Sequence, residues 1–156
     1  NGHLYAPNKL DKENYPAVLQ YNNTVFFAHD IDRIYAENGS KVHRQLFGNT
    51  IRHLHKNLLI ETKGLPSSGR ITLLHQENKN RYVVHLLYAP PLQRGRCLII
   101  EDVPEIHGVE LNINLNEKIK KVYFVNLEKE IKIEDSKSIK IKVDKFQIHE
   151  ALVLEY

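Results

Sequence analysis

The sequence lacks methionine and tryptophan and has a single cysteine, Cys97, among its 156 residues. One cysteine excludes a disulfide within the chain, and its apolar neighbours in "RGRCLIIED" predict a small buried side chain. Because carbohydrate-binding modules stack sugars on tryptophan and tyrosine, the missing tryptophan argues against strong sugar binding. The start "NGHLYAPNKL" has no initiator methionine, so we expect a processed product or an excised piece of a longer protein.

The chain also lacks a dominant charge and long hydrophobic runs. With 22 Lys and Arg against 19 Asp and Glu, its formal net charge is +3. Acidic residues are interleaved with the late lysines, whereas nucleic acids bind one-sided basic patches with aromatics. No apolar run approaches the roughly 18 to 20 residues of a membrane span, and no signal-peptide pattern is present. We therefore expect neither nucleic acid nor a membrane as a partner, and the sequence leaves the cellular compartment open.

The first part of the chain, residues 1–64, has the pattern of a small α/β segment. Short apolar runs in "YPAVLQ" and "NTVFFAHD" predict two strands, and Asp30 and Gly39 mark the start and end of a short helix. From Val42 to Leu58 the apolar spacing of three and four predicts a longer amphipathic helix. Two strands and two helices cannot close a core alone. This segment should therefore pack on the rest of the chain, pair with another chain or be the tail of a larger domain.

Residues 65–156 have the pattern of an all-β domain. After the loop "GLPSSGR", short strands follow one another without helices, beginning with a hairpin made of "RITLLHQ" and "RYVVHLLY". In "VELNINL" apolar and polar residues alternate strictly, as in a strand with one buried face. We therefore predict a mainly β fold, an antiparallel β-sandwich of about seven or eight strands, preceded by two short strands and two helices.

No motif for catalysis, a metal or a cofactor is complete. The chain has no Gly-x-Ser-x-Gly elbow and no phosphate loop. His53 and His55, two apart on a predicted helix, point in different directions, which favours a solvated basic face over a metal site. The zinc-protease-like start at His149 has Val153 where the second histidine would stand. We predict no catalytic residue, metal site or cofactor for this chain.

The role of His85 has to be decided, because this histidine interrupts the apolar stretch "RYVVHLLYAPP". Both faces of this strand are largely apolar, so we predict a central strand covered on both sides, with His85 buried and hydrogen-bonded. Glu101 or Asp102, on a neighbouring predicted strand, would be its buried polar partner. A ligand or catalytic role for His85 remains the alternative. The carboxylates of "IIEDVPEIH" do not suggest a glycosidase pair, because neighbouring strand residues point to opposite faces.

The segments "RYVVHLLYAPP", "RGRCLIIEDVPEIHGVELNINL" and "HEALVLEY" resemble the C-terminal region of β-galactosidase-like bacterial glycoside hydrolases. In that group "R-x-V-V-H-L-L-N-Y" precedes "I-E-D-x-x-P" and a "V-x-L-x-L" strand. Arg81, His85, Glu101 and Asp102 match this pattern, whereas the asparagine is missing before Tyr88 and Pro104 comes one position early. Upstream, "VFFAHDIDRIYAENGSKVHRQLFGNTIRHL" is similar to the end of the family's amidotransferase-like trimerisation domain.

The resemblance implies a chain without an active site of its own, since the family's catalytic carboxylates lie on a TIM barrel. Residues 1–64 would be the tail of the trimerisation domain and residues 65–156 the terminal sandwich. The partners would be the catalytic domain of the same parent chain and, in a homo-oligomer, further copies. A carbohydrate-binding module is the alternative, with Tyr82, Tyr88 and Tyr123 as glycan contacts. A free-standing enzyme is the third hypothesis, and no motif supports it.

Overall fold

The computed structural model describes residues 16–133 and 136–156. The start of the chain, on which the expectation of an excised piece rests, lies outside the described residues. The chain divides into a first unit that ends at Asn57 and a second unit, Leu58–Tyr156. Neither of the two α-helices described has the length and hydropathy needed to cross a bilayer.

The first unit has the two strands and two helices that the sequence predicts. Strands β1 (Val18–Tyr21) and β2 (Thr24–Phe27) form an antiparallel hairpin, followed by helices α1 (Ile31–Asn38) and α2 (Lys41–Leu54). Gly39 ends α1 in the left-handed conformation, with φ of 63°. Asp30 occupies the N-cap position but makes no side-chain cap; its carboxylate instead accepts a hydrogen bond from Arg33 Nε at 3.1 Å.

The second unit is all β apart from one 3₁₀ turn at Glu77–Lys79. Its strands are β3 (Ile60–Lys63), β4 (Arg70–Gln76), β5 (Arg81–Tyr88), β6 (Leu92–Arg94), β7 (Cys97–Ile99), β8 (Ile106–Ile119), β9 (Lys121–Phe124), β10 (Lys129–Ile131), β11 (Ser136–Phe146) and β12 (Ile148–Glu155). They form a five-stranded sheet in the order β10-β9-β12-β5-β4, a three-stranded sheet β11-β8-β3, and the separate pair β6-β7. All pairings are antiparallel, which confirms the predicted sandwich class.

The core lies between the inner faces of the two larger sheets. The alternation of "VELNINL" is confirmed, because Val109, Leu111 and Ile113 of β8 are fully buried while the polar residues between them are exposed. From the other sheet, Val84 of β5 and Leu152 of β12 pack into the same cluster. Strand β5 pairs with β4 on one side and β12 on the other, so the prediction of a central strand is confirmed.

The boundary between the units differs from the predicted one. The sequence places it after residue 64, whereas Ile60–Lys63 forms β3 and pairs with β8 in the register Ile60↔Ile113 to Lys63↔Glu110. This strand belongs to the sandwich because its partner is about 50 residues away along the chain, a pairing that local periodicity does not reveal.

Candidate functional site

The outer face of the five-stranded sheet is the surface of the sandwich that combines apolar side chains with two histidines. The strand registers align its side chains in three rows, Arg70–Leu87–His149, Thr72–His85–Ala151 and Leu74–Val83–Val153, the last continued by Tyr123. We call the set Leu74, Val83, His85, Leu87, Tyr123, His149, Ala151 and Val153 the outer patch. Val83, Ala151 and Val153 form a small cluster of their own, separate from the main core. At the rim Leu74 is 49% and Leu87 38% exposed, so the predicted cover on this face of β5 is only partial.

His85 lies in the middle row of the outer patch, and its hydrogen-bond partner is His149 in the neighbouring row. Its Nδ1 lies 3.0 Å from Nε2 of His149, and the two rings are inclined by 23°. One of these two nitrogens donates and the other accepts, and the tautomer decides which. Among the described residues no group of three or more His, Cys, Asp or Glu side chains is arranged to hold a metal ion. The pair ties β5 to β12, which fits a structural histidine, but His85 is half-buried and not buried as predicted.

The predicted partners Glu101 and Asp102 are elsewhere, and the prediction that they are buried is wrong. Both are exposed, and Glu101 accepts a hydrogen bond from Arg94 Nε at 2.9 Å. The segment after β5 does not join the sandwich, because Pro90 and Pro91 have no N–H groups to continue a ladder. It folds on itself instead as the β6–β7 hairpin. Cys97 of β7 is exposed for the same reason, which corrects its predicted burial.

The three tyrosines proposed as glycan contacts do not share a surface. Tyr82 is only 8% exposed, and Tyr88 packs partly buried against the main core. Tyr123 lies on the outer face, where Lys121 Nζ sits 5.4 Å from the centre of its ring. A sugar-binding platform needs at least two exposed aromatic rings side by side, and these three tyrosines do not form one.

A polar and aromatic cluster at one end of the sandwich was missed by the sequence reasoning. The hydroxyl of Tyr82 donates to Glu117 Oε2 at 2.7 Å, and the Tyr82 ring stacks on His75 with a centroid distance of 4.2 Å. His75 in turn is hydrogen-bonded through Nε2 to the Tyr156 hydroxyl at 2.9 Å. Burial, then the hydrogen bond to Glu117 and its charge, raises the pKa of Tyr82 to about 12 from 10.0. The hydrogen bond from Tyr82 lowers the pKa of Glu117.

This cluster predicts a loss of stability in alkali. A phenol whose pKa is higher in the folded than in the unfolded chain stabilises the fold fully below the unfolded value. That contribution is lost as the pH rises from 10.0 to about 12. We expect the urea midpoint to fall over this window, and Tyr82→Phe, which cannot ionise, to fall less steeply. Urea titrations followed by circular dichroism at several pH values test this; equal pH dependence in both proteins would refute it.

A buried carboxylate, Glu150, is a second feature that the sequence analysis missed. It is 1% exposed, and its Oε1 accepts hydrogen bonds from the backbone N–H groups of Asn126 at 3.0 Å and Ala151 at 2.8 Å. The only sequence signal is its place between apolar strand residues. One partner is the backbone N–H of the next residue and the other, Asn126, lies in a turn 24 residues away along the chain, so no side-chain pattern in the sequence predicts them.

The first unit presents apolar side chains with little to cover them. Among residues 16–57, Ile31 is the one buried hydrophobic side chain, and α2 has no buried residue. The exposed apolar residues are Val18, Leu19, Tyr21, Phe26, Tyr35, Val42, Leu46, Phe47, Ile51 and Leu54. Contacts inside the unit are sparse, such as the Phe27 and Phe47 rings with centroids 6.5 Å apart. Exposed apolar surface on this scale is typical of an interaction surface.

Comparison with known proteins relates the chain to part of a glycoside hydrolase. No family model and no curated protein matches it. Among solved structures it is similar to alpha-L-fucosidase isoenzyme 2 from Paenibacillus thiaminolyticus, with a TM-score of 0.82 and 30% sequence identity. The match covers 90% of this chain and 22% of that chain. The chain thus spans about a fifth of a glycoside hydrolase chain, which confirms the resemblance at this coarser level.

Proposed function

We propose that this chain is the non-catalytic C-terminal region of a glycoside hydrolase, and that it supports and assembles a catalytic TIM barrel carried by the same parent chain. The observation that carries the proposal is the match to an alpha-L-fucosidase over 90% of this chain but 22% of that chain. The terminal position and the barrel come from the resemblance at "RYVVHLLY" and "HEALVLEY" to β-galactosidase-like enzymes.

The first unit supports this proposal through its incomplete core. A 42-residue segment, 16–57, that buries one hydrophobic side chain has too little apolar burial to offset the entropy of folding. Covering Leu46, Phe47 and Leu54 of α2 by preceding parts of the parent chain would complete that core. This is the arrangement expected for the tail of a larger domain.

The outer patch of the sandwich supplies a second contact surface. Its rim residues Leu74 and Leu87 are exposed around the buried centre at Val83. The two histidines of the patch bond each other through His85 Nδ1 and His149 Nε2, so a docking partner has to supply polar groups only for the other two ring nitrogens. We propose that the parent's catalytic portion covers this patch.

Two carboxyl groups of the second unit, those of Glu105 and Glu101, support a non-catalytic role. A glycosidase needs a carboxylic acid whose pKa is raised so that it can donate a proton. At Glu105 the opposite holds, because a hydrogen bond from Lys145 Nζ at 2.9 Å and its charge lower the pKa. The carboxylate of Glu101 forms an ion pair with Arg94. Neither residue has the environment of a general acid.

Sugar binding by the sandwich itself has weaker support. Tyr123 lines a shallow groove of about 370 Å³ with Lys121, Glu130 and Glu155. The ring already contacts Lys121 and packs against the cluster that contains Val153. Little of the ring is therefore left to stack on a sugar, and we retain the supporting role as the proposal.

The test is to express the whole reading frame that contains this chain and assay it on 4-nitrophenyl glycosides. We expect hydrolysis of the α-L-fucoside or the β-D-galactoside by the full protein, and none by the 156-residue chain. Hydrolysis by the chain alone, or a reading frame that starts directly before Asn1, would refute the proposal.

Matched variants of α2 test the docking role in the same full protein. Ile51, which is 45% exposed in this chain, would be covered in the parent, whereas Gln45 lies on the polar side of α2. We expect Ile51→Asp to lower the melting temperature of the full protein by several degrees and Gln45→Asp to leave it unchanged. In the 156-residue chain both should be neutral.

A further inference from the structure

The polar side of α2 carries a concave basic site of about 510 Å³. Arg44, Gly48 and Arg52 follow one another at intervals of four residues, so they lie on one line along the helix. Lys41 precedes them by one turn, and the amide side chains of Gln45 and Asn49 flank the line. We call this site the Gly48 notch. Phe47 borders the notch as well. Leu46, Thr50 and Leu54 lie on the opposite side of the helix, so docking against those three residues leaves Arg44, Gly48 and Arg52 uncovered.

Gly48 has no backbone reason to be glycine. It lies inside a 14-residue helix and is not among the residues with positive φ. Glycine in a helix interior costs about 1 kcal/mol relative to alanine. A Cβ at this position would lie 3.5 Å from Nη1 of Arg52, an ordinary contact that the fold would tolerate. Alanine would therefore fit the helix at this position but would narrow the space beneath the Arg52 guanidinium.

The charges of the notch are not balanced within the described part of the first unit. Its acidic residues there are Asp30, Asp32 and Glu37, at or within α1, and Asp30 and Glu37 are both engaged by Arg33. None of them lines the notch. Lys41, Arg44 and Arg52 make no ion pair with any described residue. Three cations around one cavity without a carboxylate form a site for an anion.

We propose that the Gly48 notch binds a tetrahedral oxyanion, the sulfate or phosphate ester of a saccharide. Two guanidinium groups that bracket a cavity floored by a glycine match an oxyanion with bidentate, charge-assisted hydrogen bonds. The Lys41 ammonium adds a point charge, and the amides of Gln45 and Asn49 add neutral donors. The sugar as carrier of the ester rests on the proposed function, whereas the oxyanion site rests on the notch alone.

The experiment titrates the full parent protein, in which the core of the first unit would be complete, with sodium sulfate, sodium phosphate, galactose 6-sulfate, glucose 6-phosphate and the two neutral sugars, followed by the chemical shifts of the α2 amides. We expect millimolar binding of the anions at Arg44, Gly48 and Arg52 and no binding of the neutral sugars. The tighter of the two sugar esters identifies the source of the anion. Tighter binding of both inorganic ions than of both sugar esters would refute the saccharide ligand.

Three variants and one control decide whether the notch is the site. We expect Arg44→Gln and Arg52→Gln each to weaken the affinity about tenfold, because each removes charge-assisted hydrogen bonds. Gly48→Ala should raise the melting temperature while it lowers the affinity, a pair of results that general loss of structure cannot produce. Lys56→Gln, which removes a cation outside the notch, should leave the affinity unchanged. Equal weakening by all four changes, or none, would overturn the site, and neither result bears on the hydrolysis test of the parent protein.

Discussion

Replacing Leu111 with alanine is expected to lower the free energy of unfolding of the sandwich by about 3 kcal/mol. Leu111 is fully buried at the middle of β8, the central strand of the three-stranded sheet, opposite Ile141 on one side and Thr62 on the other. The substitution loses apolar burial and leaves a cavity that three paired strands cannot easily collapse. Urea unfolding followed by circular dichroism measures the change, since the chain has no tryptophan to report by fluorescence.

The matched control is Leu98→Ala in β7. The same atoms are removed, but Leu98 is 71% exposed, so we expect a change within about 0.5 kcal/mol. If both variants lost the same stability, the placement of the core between the two larger sheets would be contradicted. An effect confined to Leu98 would contradict it as well.

The sequence predicts those helices and strands whose hydrophobic periodicity is contained within one segment of the chain. The spacing of α2 and the alternation of β8 each carry their period over enough residues to define a face. The two apolar faces of β5 are enough to predict a central strand. In each of these cases the pattern of one segment decides both the type of element and the side that it buries.

Pairing partners are not encoded locally, and this is where the predictions fail. "RCLIIED" has the composition of a core strand, yet the prolines before it divert the chain into the β6–β7 hairpin, which leaves Glu101 and Asp102 in solvent. The sequence does not predict strand β3, because its four residues show no clear hydrophobic periodicity. They form a strand by pairing with β8. The propensity of a short segment is outweighed by the partner available to it.

The candidate site shows the same limit. That His85 would have a hydrogen-bond partner follows from the cost of an unpaired polar group, but the identity of the partner depends on the register between β5 and β12. In that register His149 pairs with Leu87 and Ala151 with His85, which brings the two histidines to diagonal positions on one face. Two residues 64 positions apart meet for this reason alone.

Glu150 is the position where the second large effect is expected. Among the described residues it is the buried acidic side chain, and its carboxyl group joins β12 to the turn that follows β9. In the same turn Asn126 Nδ2 donates to the His149 carbonyl at 2.7 Å, so the turn is held at two points. Glu150→Ala would leave the Asn126 and Ala151 N–H groups without their acceptor. We expect this change to lower the free energy of unfolding by about 3 kcal/mol.

The matched variant Glu150→Gln separates hydrogen bonding from packing. Its amide oxygen can accept the same two N–H groups, while the shape of the side chain is retained and the charge is lost. We therefore expect it to cost about 1 kcal/mol, clearly less than the alanine variant. Hydrogen exchange of the Asn126 backbone amide measures the loss of this hydrogen bond directly. Its exchange rate should rise strongly in Glu150→Ala and weakly in Glu150→Gln. If the two variants were equally destabilised, packing of the side chain and not its acceptor would hold the turn against β12.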